Sequence, residues 1–531
     1  MTRVVTQEEL AQHKSPDDAW LAVGGRVFDV TKFQKVHPGG AALLRAVAGR
    51  DASEEFFALH RSDVLKRYAR LQVGTLPHDS GEQTKQTEDD ALSPCIRDAH
   101  GVPYGESPFW RGFHSPYFTE SHDRFRRGLR AFMDAEIAPV AADMENDGDE
   151  PDLDLYKKLG DAGILALTIG PGEKLCKFCK THGIVLPGGI PPEEFDYFHE
   201  LINAEELRRL GTYGFNDGLI AGISIGLPPV INFGTQEQFE RIATPVLLGD
   251  KRICLAISDP TAGSDVAGMM ATATTEPDGT YVVNGLKKWI TNGTFADYFT
   301  TAVRTSPKAK GQAPQAGVSL LLVERTEGLT TSTIKTSSST SAGTALVVYE
   351  NVRVPRENLI GSEGKGFAYV MSNFNHERWG MCVSGNRHAR LIIEECFKWA
   401  SQRKVFGAPL IKQPVIRMKL AHMISEVETV NAWIESITYQ MCRMSPKEQS
   451  DKLAGPIGLL KFKQTRAATI VSDEAVQIFG GRALTKTGMG QQIERFQRTF
   501  KFHSILGGSE EIMADLGVRQ ALKYWDHQSK L

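Results

Sequence analysis

The sequence predicts a multidomain protein: one small mixed α+β unit, followed by a larger body with helical, β-rich and again helical parts. Three observations predict it. At 531 residues the chain is too long for a single hydrophobic core. Between Arg252 and Ile360, short β-branched runs alternate with Gly, Pro and Asn turns. On both sides of that region apolar residues recur at helical spacing instead.

The composition favours a soluble protein with reduced thiols. The formal net charge is −3, so nothing indicates nucleic acid as a partner. No apolar run approaches the length of a membrane span, and we expect none. The seven cysteines are an odd number scattered over a long chain, which favours free thiols over a disulfide framework.

The two ends of the chain bear on its location. The polar start lacks the features of a secretory signal and is too acidic for an organellar transit peptide. The last three residues are Ser529-Lys530-Leu531, the tripeptide that the peroxisomal import receptor reads. We therefore expect a peroxisomal protein, with a cytoplasmic location as the alternative.

The first unit, residues 1–77, carries a pair of histidines behind strand-like runs. His37 begins a His-Pro-Gly-Gly turn that ends at Gly40, and His60 follows after a further helical stretch. Two neutral imidazoles on separate helical turns can bind one iron from opposite sides. Because that arrangement leaves no open coordination position, it suits electron transfer rather than oxygen activation.

This pattern resembles the cytochrome b5 heme-binding domain over nearly the whole of residues 1–77. The resemblance implies heme b as a cofactor, with His37 and His60 as its axial ligands. The apolar side chains available as pocket walls are Phe33, Phe57 and Leu59. Residues 78–108 are largely polar and lack periodicity, so we expect a flexible linker that tethers this unit.

Residues 109–251 are predicted to form a helical domain, with helices near Ser121–Met144, Leu153–Ala162 and Phe195–Leu210. Between two of them lie Cys176, Cys179 and His182, whose local spacing is like that of zinc ligands. A structural zinc site needs a fourth ligand, and no matching second cluster follows. We therefore interpret this segment as a surface loop with free thiols.

The remaining chain divides into a β domain, residues 252–365, and a helical bundle, residues 366–531. The bundle helices are expected at Phe367–Gln402, Gln413–Met444, Lys452–Phe479 and after Gly508.

Two segments of the β domain predict a site for a planar cofactor. The first runs from Cys254 to Asp265 and breaks from an apolar strand into a Pro-Thr-Ala-Gly-Ser turn. The second, from Lys287 to Gly293, carries Trp289. Together they resemble the flavin-binding signature of the acyl-CoA dehydrogenase family, in which the first segment reads near Thr-Glu-Pro-x-Ala-Gly-Ser-Asp.

In that signature Ser258 stands for the Thr and Asp259 for the Glu. The layout of helical domain, β domain and helical bundle is similar to the fold of this family from about residue 110 to the end. The resemblance implies FAD as cofactor. It also implies that FAD binds across a subunit interface, and hence a homodimer or homotetramer. The residues it assigns to FAD are Ile257, Ser258, Ser264, Trp289, Thr291, Arg403, Phe406, Gln477, Gly480, Gly481, Ser509 and Glu511.

The alternative for several of these positions is purely structural. Taken by themselves, the segments that contain Arg403 and Gly480 are helix C-caps, and Ser509 is a helix N-cap.

The family reaction needs a carboxylate that removes the α-proton of an acyl thioester. Most members carry it as the Glu of a Tyr-Glu-Gly-Thr segment, where this chain has Gly507. Other branches of the family place it on a helix early in the final bundle, which corresponds to Glu377 here. The resemblance therefore implies Glu377 as the base and the backbone N–H of Gly507 as a donor to the thioester oxygen. It assigns the substrate contacts to Ser264, Phe374, Asn375 and Arg378.

The sequence thus predicts an FAD-dependent acyl-CoA dehydrogenase that forms a trans-2,3 double bond, with the fused heme as electron relay. Two alternatives remain open. One is an oxidase or nitroalkane-oxidising flavoenzyme that passes electrons to oxygen. The other is a non-catalytic heme and flavin redox sensor, since the usual Glu is replaced by Gly507.

Overall fold

The computed structural model describes residues 3–60, 63–77, 101–306 and 313–528. The chain forms two compact units. The first unit comprises Met1–Pro103, Glu394–Leu420 and Ala475–Glu494, and the second comprises Tyr104–Ile393, Ala421–Glu474 and Arg495–Leu531. Residues 78–100 of the predicted linker and the terminal Ser529-Lys530-Leu531 lie outside the described residues.

The amino-terminal part of the first unit is a small α+β fold, as the sequence predicts. Its four strands are antiparallel and adjacent in the order Lys14–Ser15, Asp18–Val23, Arg26–Asp29 and Gln72–Thr75. Its helices are Gln7–Leu10, Ala41–Val47, Ser53–Leu59 and Asp63–Arg67, with 3-10 turns at Phe33–Lys35 and Ala69–Leu71. The strand Asp18–Val23 is buried on both faces, because Leu21 packs into one hydrophobic cluster and Trp20 into another.

The remainder of the first unit comes from the carboxyl-terminal third of the chain. It contains a two-stranded hairpin, Lys404–Val405 with Ala408–Pro409, and 3-10 turns at Leu410–Lys412, Gly480–Leu484 and Gly488–Gly490.

The second unit begins with the predicted helical region. Its α-helices are Glu120–Phe132, Ala138–Asp147, Leu153–Asp161, Glu173–His182, Tyr197–Arg208, Tyr213–Asn216, Gly222–Gly226, Pro228–Phe233, Gln236–Gln238 and Thr244–Leu247. Single π-helical turns interrupt them at Met133–Ile137, Asp217–Ala221 and Phe239–Ala243. Turns of 3-10 helix lie at Pro108–Arg111, Leu165–Ile169, Pro187–Gly189, Pro192–Glu194, Val266–Gly268, Thr340–Ala342 and Arg356–Asn358.

The interpretation of the Cys176 segment as a surface loop was wrong. Glu173–His182 is an α-helix in which Leu175, Phe178 and Cys179 are buried. These three positions share one helical face, so the segment is anchored by its apolar stripe. Its cysteines are free thiols.

One stretch of the described residues, Tyr213–Phe233, is long and apolar enough to cross a membrane by length and composition alone. The fold breaks it into four short helical pieces, and 72% of its apolar window is buried inside the protein. Buried core helices of this kind pass the same test, so the expectation of no membrane span stays a prediction.

The β domain of the second unit is an eight-stranded sheet. Seven of its strands follow the order Leu329–Thr333, Ala345–Val354, Tyr281–Ile290, Thr272–Thr275, Tyr298–Arg304, Val318–Glu324 and Leu359–Ile360. The eighth, Ile253–Ala256, pairs in parallel with Tyr298–Arg304.

The long carboxyl-terminal helices are Gly366–Gln402, Pro414–Arg443, Pro446–Phe479 and Glu510–Gln528, with shorter ones at Gln491–Thr499 and Lys501–Ile505. They confirm the predicted helical region. The third begins at Pro446 rather than Lys452 because Ser445 and Glu448 cap its start. The N–H of Ser445 donates to the Glu448 carboxylate (3.1 Å), and the N–H of Glu448 donates to the Ser445 hydroxyl (3.3 Å).

Candidate active site

The structure brings the two predicted flavin segments together in the second unit. The Lys288 N–H donates to the Ser258 carbonyl at 2.8 Å, which joins the strand Tyr281–Ile290 to the end of the first segment. The Lys287 ammonium donates to the Ile257 carbonyl at 2.8 Å and lies 2.6 Å from the Asp259 carboxylate. The two segments, which are separate in sequence, are therefore in direct contact.

Asp259 holds the turn in place from the inside. Its second carboxylate oxygen accepts the N–H groups of Met270 and Ala271, the latter at 2.9 Å. Asp259 and Lys287 are both buried, and burial lowers the pKa of Lys287 although the Asp259 carboxylate opposes that effect. The sequence alone did not lead us to a role for Lys287. Its position two residues before Trp289 could have indicated one.

Trp289 presents a half-exposed aromatic ring, with the Lys288 ammonium 4.7 Å from the ring centroid. Its side chain is 51% exposed, although it belongs to a strand and strand tryptophans are usually buried. Its φ of 66° is unusual for a bulky residue and marks a backbone constraint of the kind that clusters at functional sites. Next to it, Thr291 is partly buried, as is Ser258, whereas Ser264 is exposed.

Glu377 lies on the helix Gly366–Gln402, and its carboxylate is held by a neighbour one turn earlier. The Asn373 side-chain amide donates to Glu377 Oε1 at 2.6 Å. Burial raises the pKa of Glu377 to about 7, against the opposing effects of the Asn373 amide and of the cations at His376 and Arg378. A carboxylate with this pKa can accept a proton near neutral pH, which is what a general base requires.

Arg378 joins the Glu377 helix to the segment that contains Gly507. Arg378 Nε donates to the Gly507 carbonyl at 2.8 Å, and its Nη1 lies 3.3 Å from the Asn375 side-chain oxygen. The guanidinium also lies over the Phe374 ring, 5.2 Å from the ring centroid. The predicted base, the Gly507 segment and the three predicted substrate residues of this helix are therefore neighbours.

Gly507 adopts a left-handed conformation with φ 65°. A Cβ at this position would lie 2.9 Å from Met381 Sδ, closer than Cβ atoms normally approach. Lys461, which sequence reasoning missed, donates to the carbonyls of His503 (2.8 Å) and Gly508 (2.7 Å). Burial lowers the pKa of Lys461 to about 8. Within the described part of the chain, no hydrogen bond is made by the Gly507 N–H.

The segments assigned to the ADP half of FAD lie in the first unit. The Trp399 indole N–H donates to the Ile478 carbonyl at 3.3 Å, and its ring stacks on Phe479, so the two segments lie side by side. Phe406 is 97% exposed with φ 50°. Gln477, Gly480 and Gly481 are exposed, Arg403 is partly buried, and the space beyond the Cα atoms of both glycines is open.

Ser509 caps the last long helix, as its structural interpretation predicts. Its hydroxyl accepts the Ile512 N–H at 3.5 Å, and Glu511 in the first turn of that helix is exposed.

His37 and His60 lie close together in the first unit. Their ring centroids are 6.0 Å apart, which leaves room for one metal ion between the rings because metal–imidazole bonds are about 2 Å long. His37 Nδ1 lies 3.2 Å from the Gly40 carbonyl, an acceptor, so Nδ1 carries the proton and Nε2 is left free to bind a metal. Burial and the charge of His37 lower the pKa of His60, which favours its neutral form.

The surroundings of the two histidines are apolar. Phe33 lies 5.7 Å from the His37 ring, as the sequence interpretation expects of a pocket wall. Phe56, which that interpretation did not name, lies 4.9 Å from the His60 ring, while Phe57 packs against the core cluster. Val36, Leu43 and Leu59 are large exposed apolar residues beside or near the histidines in sequence.

Comparison with known proteins identifies the chain. The models of the N-terminal, middle and C-terminal domains of acyl-CoA dehydrogenases match residues 119–175, 254–352 and 364–522. The model of the cytochrome b5-like heme/steroid binding domain matches residues 6–77. Acyl-CoA dehydrogenase apdG of Emericella nidulans is 39% identical over 433 residues, which cover 81% of this chain and 97% of the relative.

The chain belongs to the acyl-CoA dehydrogenase family. The short-chain specific acyl-CoA dehydrogenase of Mus musculus is 30% identical over 76% of this chain and 91% of its own length. The structure of an acyl-CoA dehydrogenase complexed with FAD from Bacillus anthracis is 26% identical. It matches with a TM-score of 0.65 over 77% of this chain and 69% of that chain. The chain is thus an acyl-CoA dehydrogenase, an FAD-dependent oxidoreductase carrying an amino-terminal cytochrome b5-like domain.

The chain's own residues fit the FAD of this family. Trp289 offers a flat, accessible ring, and the open space beyond Gly263, Gly480 and Gly481 admits a ligand close to the backbone. The fit to a heme between His37 and His60 rests on the free Nε2 and the exposed apolar surroundings described above.

One further cluster has metal-like composition. The ligand atoms of His122, Asp196 and His199 lie within 4.8 Å of one another. Each histidine is instead the third residue of a helix, where its Nδ1 accepts the N–H of the N-cap residue, Thr119 or Asp196. This arrangement is a pair of capping boxes, and it accounts for the cluster without a metal.

Proposed function

We propose that this acyl-CoA dehydrogenase converts an acyl-CoA thioester into its trans-2-enoyl-CoA, with Glu377 as the base. The observation that carries the proposal is the carboxylate of Glu377, whose pKa burial raises to about 7. It lies on a helix that Arg378 joins to Gly507. Because position 507 is a glycine, the carboxylate of these two segments that is suited to remove the α-proton is that of Glu377.

In this reaction Glu377 takes the α-proton and becomes a neutral carboxylic acid. The Gly507 N–H, free of protein acceptors in the described residues, donates to the thioester oxygen, where negative charge develops. Arg378 and Lys461 fix the carbonyls of residues 507 and 508 and so keep this N–H in place. FAD, which Ser258, Trp289 and Thr291 would help to hold, would supply the acceptor for the hydride that leaves the β-carbon. Ser264, Phe374 and Asn375 contact the acyl-CoA.

We propose further that the electrons leave through the fused heme. A heme held by His37 and His60 would accept one electron at a time, so the two electrons of each turnover would leave the flavin in two steps. A one-electron acceptor outside the chain would have to take up the first electron before the second could follow. The support is the fusion itself and the closed histidine pair, which suits electron transfer.

The proposed assembly is a homodimer or homotetramer. Phe406 is almost fully exposed, and the exposed glycines 480 and 481 face open space. Both features fit a nucleotide site that a second copy of the chain completes. We also propose a peroxisomal location, which rests on the sequence of residues 529–531.

Stopped-flow absorbance under nitrogen tests the function. The FAD- and heme-loaded protein is mixed with straight short-chain, long-chain and branched acyl-CoA substrates. We expect bleaching of the flavin band, then reduction of the heme band, with enoyl-CoA as product. Flavin bleaching with the heme left oxidised contradicts the relay and, with stoichiometric peroxide in air, supports an oxidase. Absence of bleaching with every substrate contradicts the dehydrogenase proposal and leaves the redox sensor.

A further inference from the structure

The first unit contains a contact between the heme-binding module and the end of the long helix Gly366–Gln402. The Gln402 side-chain amide donates to the main-chain carbonyl of His60 at 3.1 Å and also to that of Phe57. Two residues further on, the Lys404 ammonium lies 3.9 Å from the Glu54 carboxylate. We call Gln402 and Lys404 the latch.

Gln402 supplies hydrogen-bond donors to the carboxyl end of the helix Ser53–Leu59. The last carbonyls of an α-helix have no partner within the helix and need donors from elsewhere. The His60 N–H already donates to the Phe56 carbonyl at 2.7 Å and so closes this helix. The two donors of the Gln402 amide satisfy the carbonyls of residues 57 and 60 from outside the module.

The other half of the latch contributes less. Both side chains of the Lys404–Glu54 pair are mostly exposed, and exposed ion pairs contribute little to stability. Gln402, by contrast, is partly buried. Gln402 meets the carboxyl end of this helix, at Phe57 and the C-cap residue His60, whereas Glu54 lies in its first turn.

His60 is the residue that the latch and the heme site share. Its main-chain carbonyl faces Gln402, and its ring lies 6.0 Å from the ring of His37. A displacement of the His60 backbone therefore moves the imidazole relative to its partner ligand.

We propose that Gln402 is a positioning residue that couples heme binding to the docking of the heme module. This inference rests on the proposed role of His37 and His60 as heme ligands. Because coupling between two binding events is reciprocal, docking that favours the ligating position of His60 tightens heme binding, and heme tightens docking to the same extent. The latch thereby keeps the heme-loaded module on the segment that continues into Arg403 and Phe406.

The test uses the full-length, FAD-loaded protein with four sequences: unmodified, Gln402→Leu, Gln402→Lys and Ser401→Ala. Gln402→Leu removes both donors, whereas Gln402→Lys keeps N–H donors on a chain of similar length. Ser401→Ala is the matched control, since Ser401 is an exposed neighbour. The first readout is the rate of heme loss to excess apomyoglobin, followed by absorbance. The second is hydrogen exchange of the amides of residues 56–60 in the heme-free protein.

We expect Gln402→Leu to raise both rates about fivefold, the factor that corresponds to one net hydrogen bond. Gln402→Lys and Ser401→Ala stay within about twofold of the unmodified protein. An unchanged rate of heme loss in Gln402→Leu overturns the coupling but leaves His37 and His60 as the proposed heme ligands. Faster exchange without faster heme loss shows a purely structural cap and also overturns the coupling. Failure of the unmodified protein to take up heme overturns the proposed ligands, and the coupling with them.

Discussion

The ammonium of Lys287 lies 2.6 Å from the carboxylate of Asp259, and this buried pair joins the two segments that are predicted to bind the flavin. One partner comes from the strand that carries Trp289 and the other from the turn that precedes Ser264. Neither residue is a candidate for chemistry. The pair fixes the position of Trp289 relative to Ser264, because each charge has its partner only when the two segments are in contact.

Lys287→Met is expected to destabilise the protein by about 3–5 kcal/mol, because it leaves Asp259 buried without its counter-ion. Thermal unfolding and FAD content of the purified variant measure the effect, and both should fall. The control is Lys251→Met, which removes the exposed pair with Asp297 and should cost less than about 1 kcal/mol. Equal, small losses in both variants would show that the buried pair does not hold the site.

Asn373→Leu is expected to raise the pKa of Glu377 further. The Asn373 amide stabilises the ionised carboxylate, so its removal favours the protonated form. Since only the ionised form accepts a proton, the acid limb of the pH profile of kcat/KM should move up by about one to two units. Ser372→Ala, at an exposed neighbour, should leave the profile in place. If the acid limb of the profile does not move in Asn373→Leu, a group other than Glu377 is responsible for it.

Gly507→Glu, which restores the usual family residue, is not expected to restore activity to a chain that lacks Glu377. The φ of 65° disfavours any side chain at 507, at a cost of about 1–2 kcal/mol, and the Cβ meets Met381. Differential scanning calorimetry of Gly507→Glu should show a lower Tm. Flavin bleaching by the double variant Glu377→Gln/Gly507→Glu should match that of Glu377→Gln alone. Recovery of fast bleaching in the double variant would refute this account of the segment.

His37→Leu is expected to abolish heme uptake while leaving substrate-dependent flavin bleaching intact. The imidazole is one of two proposed axial ligands, whereas the segments that carry Ser258 and Trp289 belong to the second unit. The absorbance spectrum after heme reconstitution measures the first effect and anaerobic bleaching the second. His13→Leu serves as the histidine control in the same module. A His37→Leu protein that still binds stoichiometric heme through two histidines would remove His37 as a ligand.

Much of the fold could be predicted from the sequence because its patterns are locally strong. The four long helices carry sustained apolar periodicity, and the predicted end of the first at Gln402 is the observed one. The segment Glu173–His182 was wrongly predicted to be a loop, because its lysines and cysteines make the helical spacing of its apolar residues hard to recognise. Only the packing of Leu175 and Phe178 reveals that the stripe is buried.

A role could be proposed from the sequence where one residue carries it alone, as with Trp289 and Glu377, and both roles stay predictions. A role was not predictable where it depends on a contact between distant residues. Lys461 and Gly508, or Gln402 and His60, are far apart in sequence, and each side chain has an ordinary surface or helix interpretation by itself. The same holds for Asp259, whose carboxylate accepts the N–H groups of Met270 and Ala271.

The rate of flavin bleaching in Glu377→Gln decides whether Glu377 is the base. It is measured by anaerobic stopped flow with an acyl-CoA that the unmodified protein oxidises. A glutamine keeps the size and hydrogen bonding of the side chain but cannot accept the α-proton. We expect the rate to fall at least about 100-fold, with FAD content unchanged. Glu363→Gln, at an exposed position, should bleach at the unmodified rate. Bleaching of Glu377→Gln at the unmodified rate would contradict Glu377 as the base.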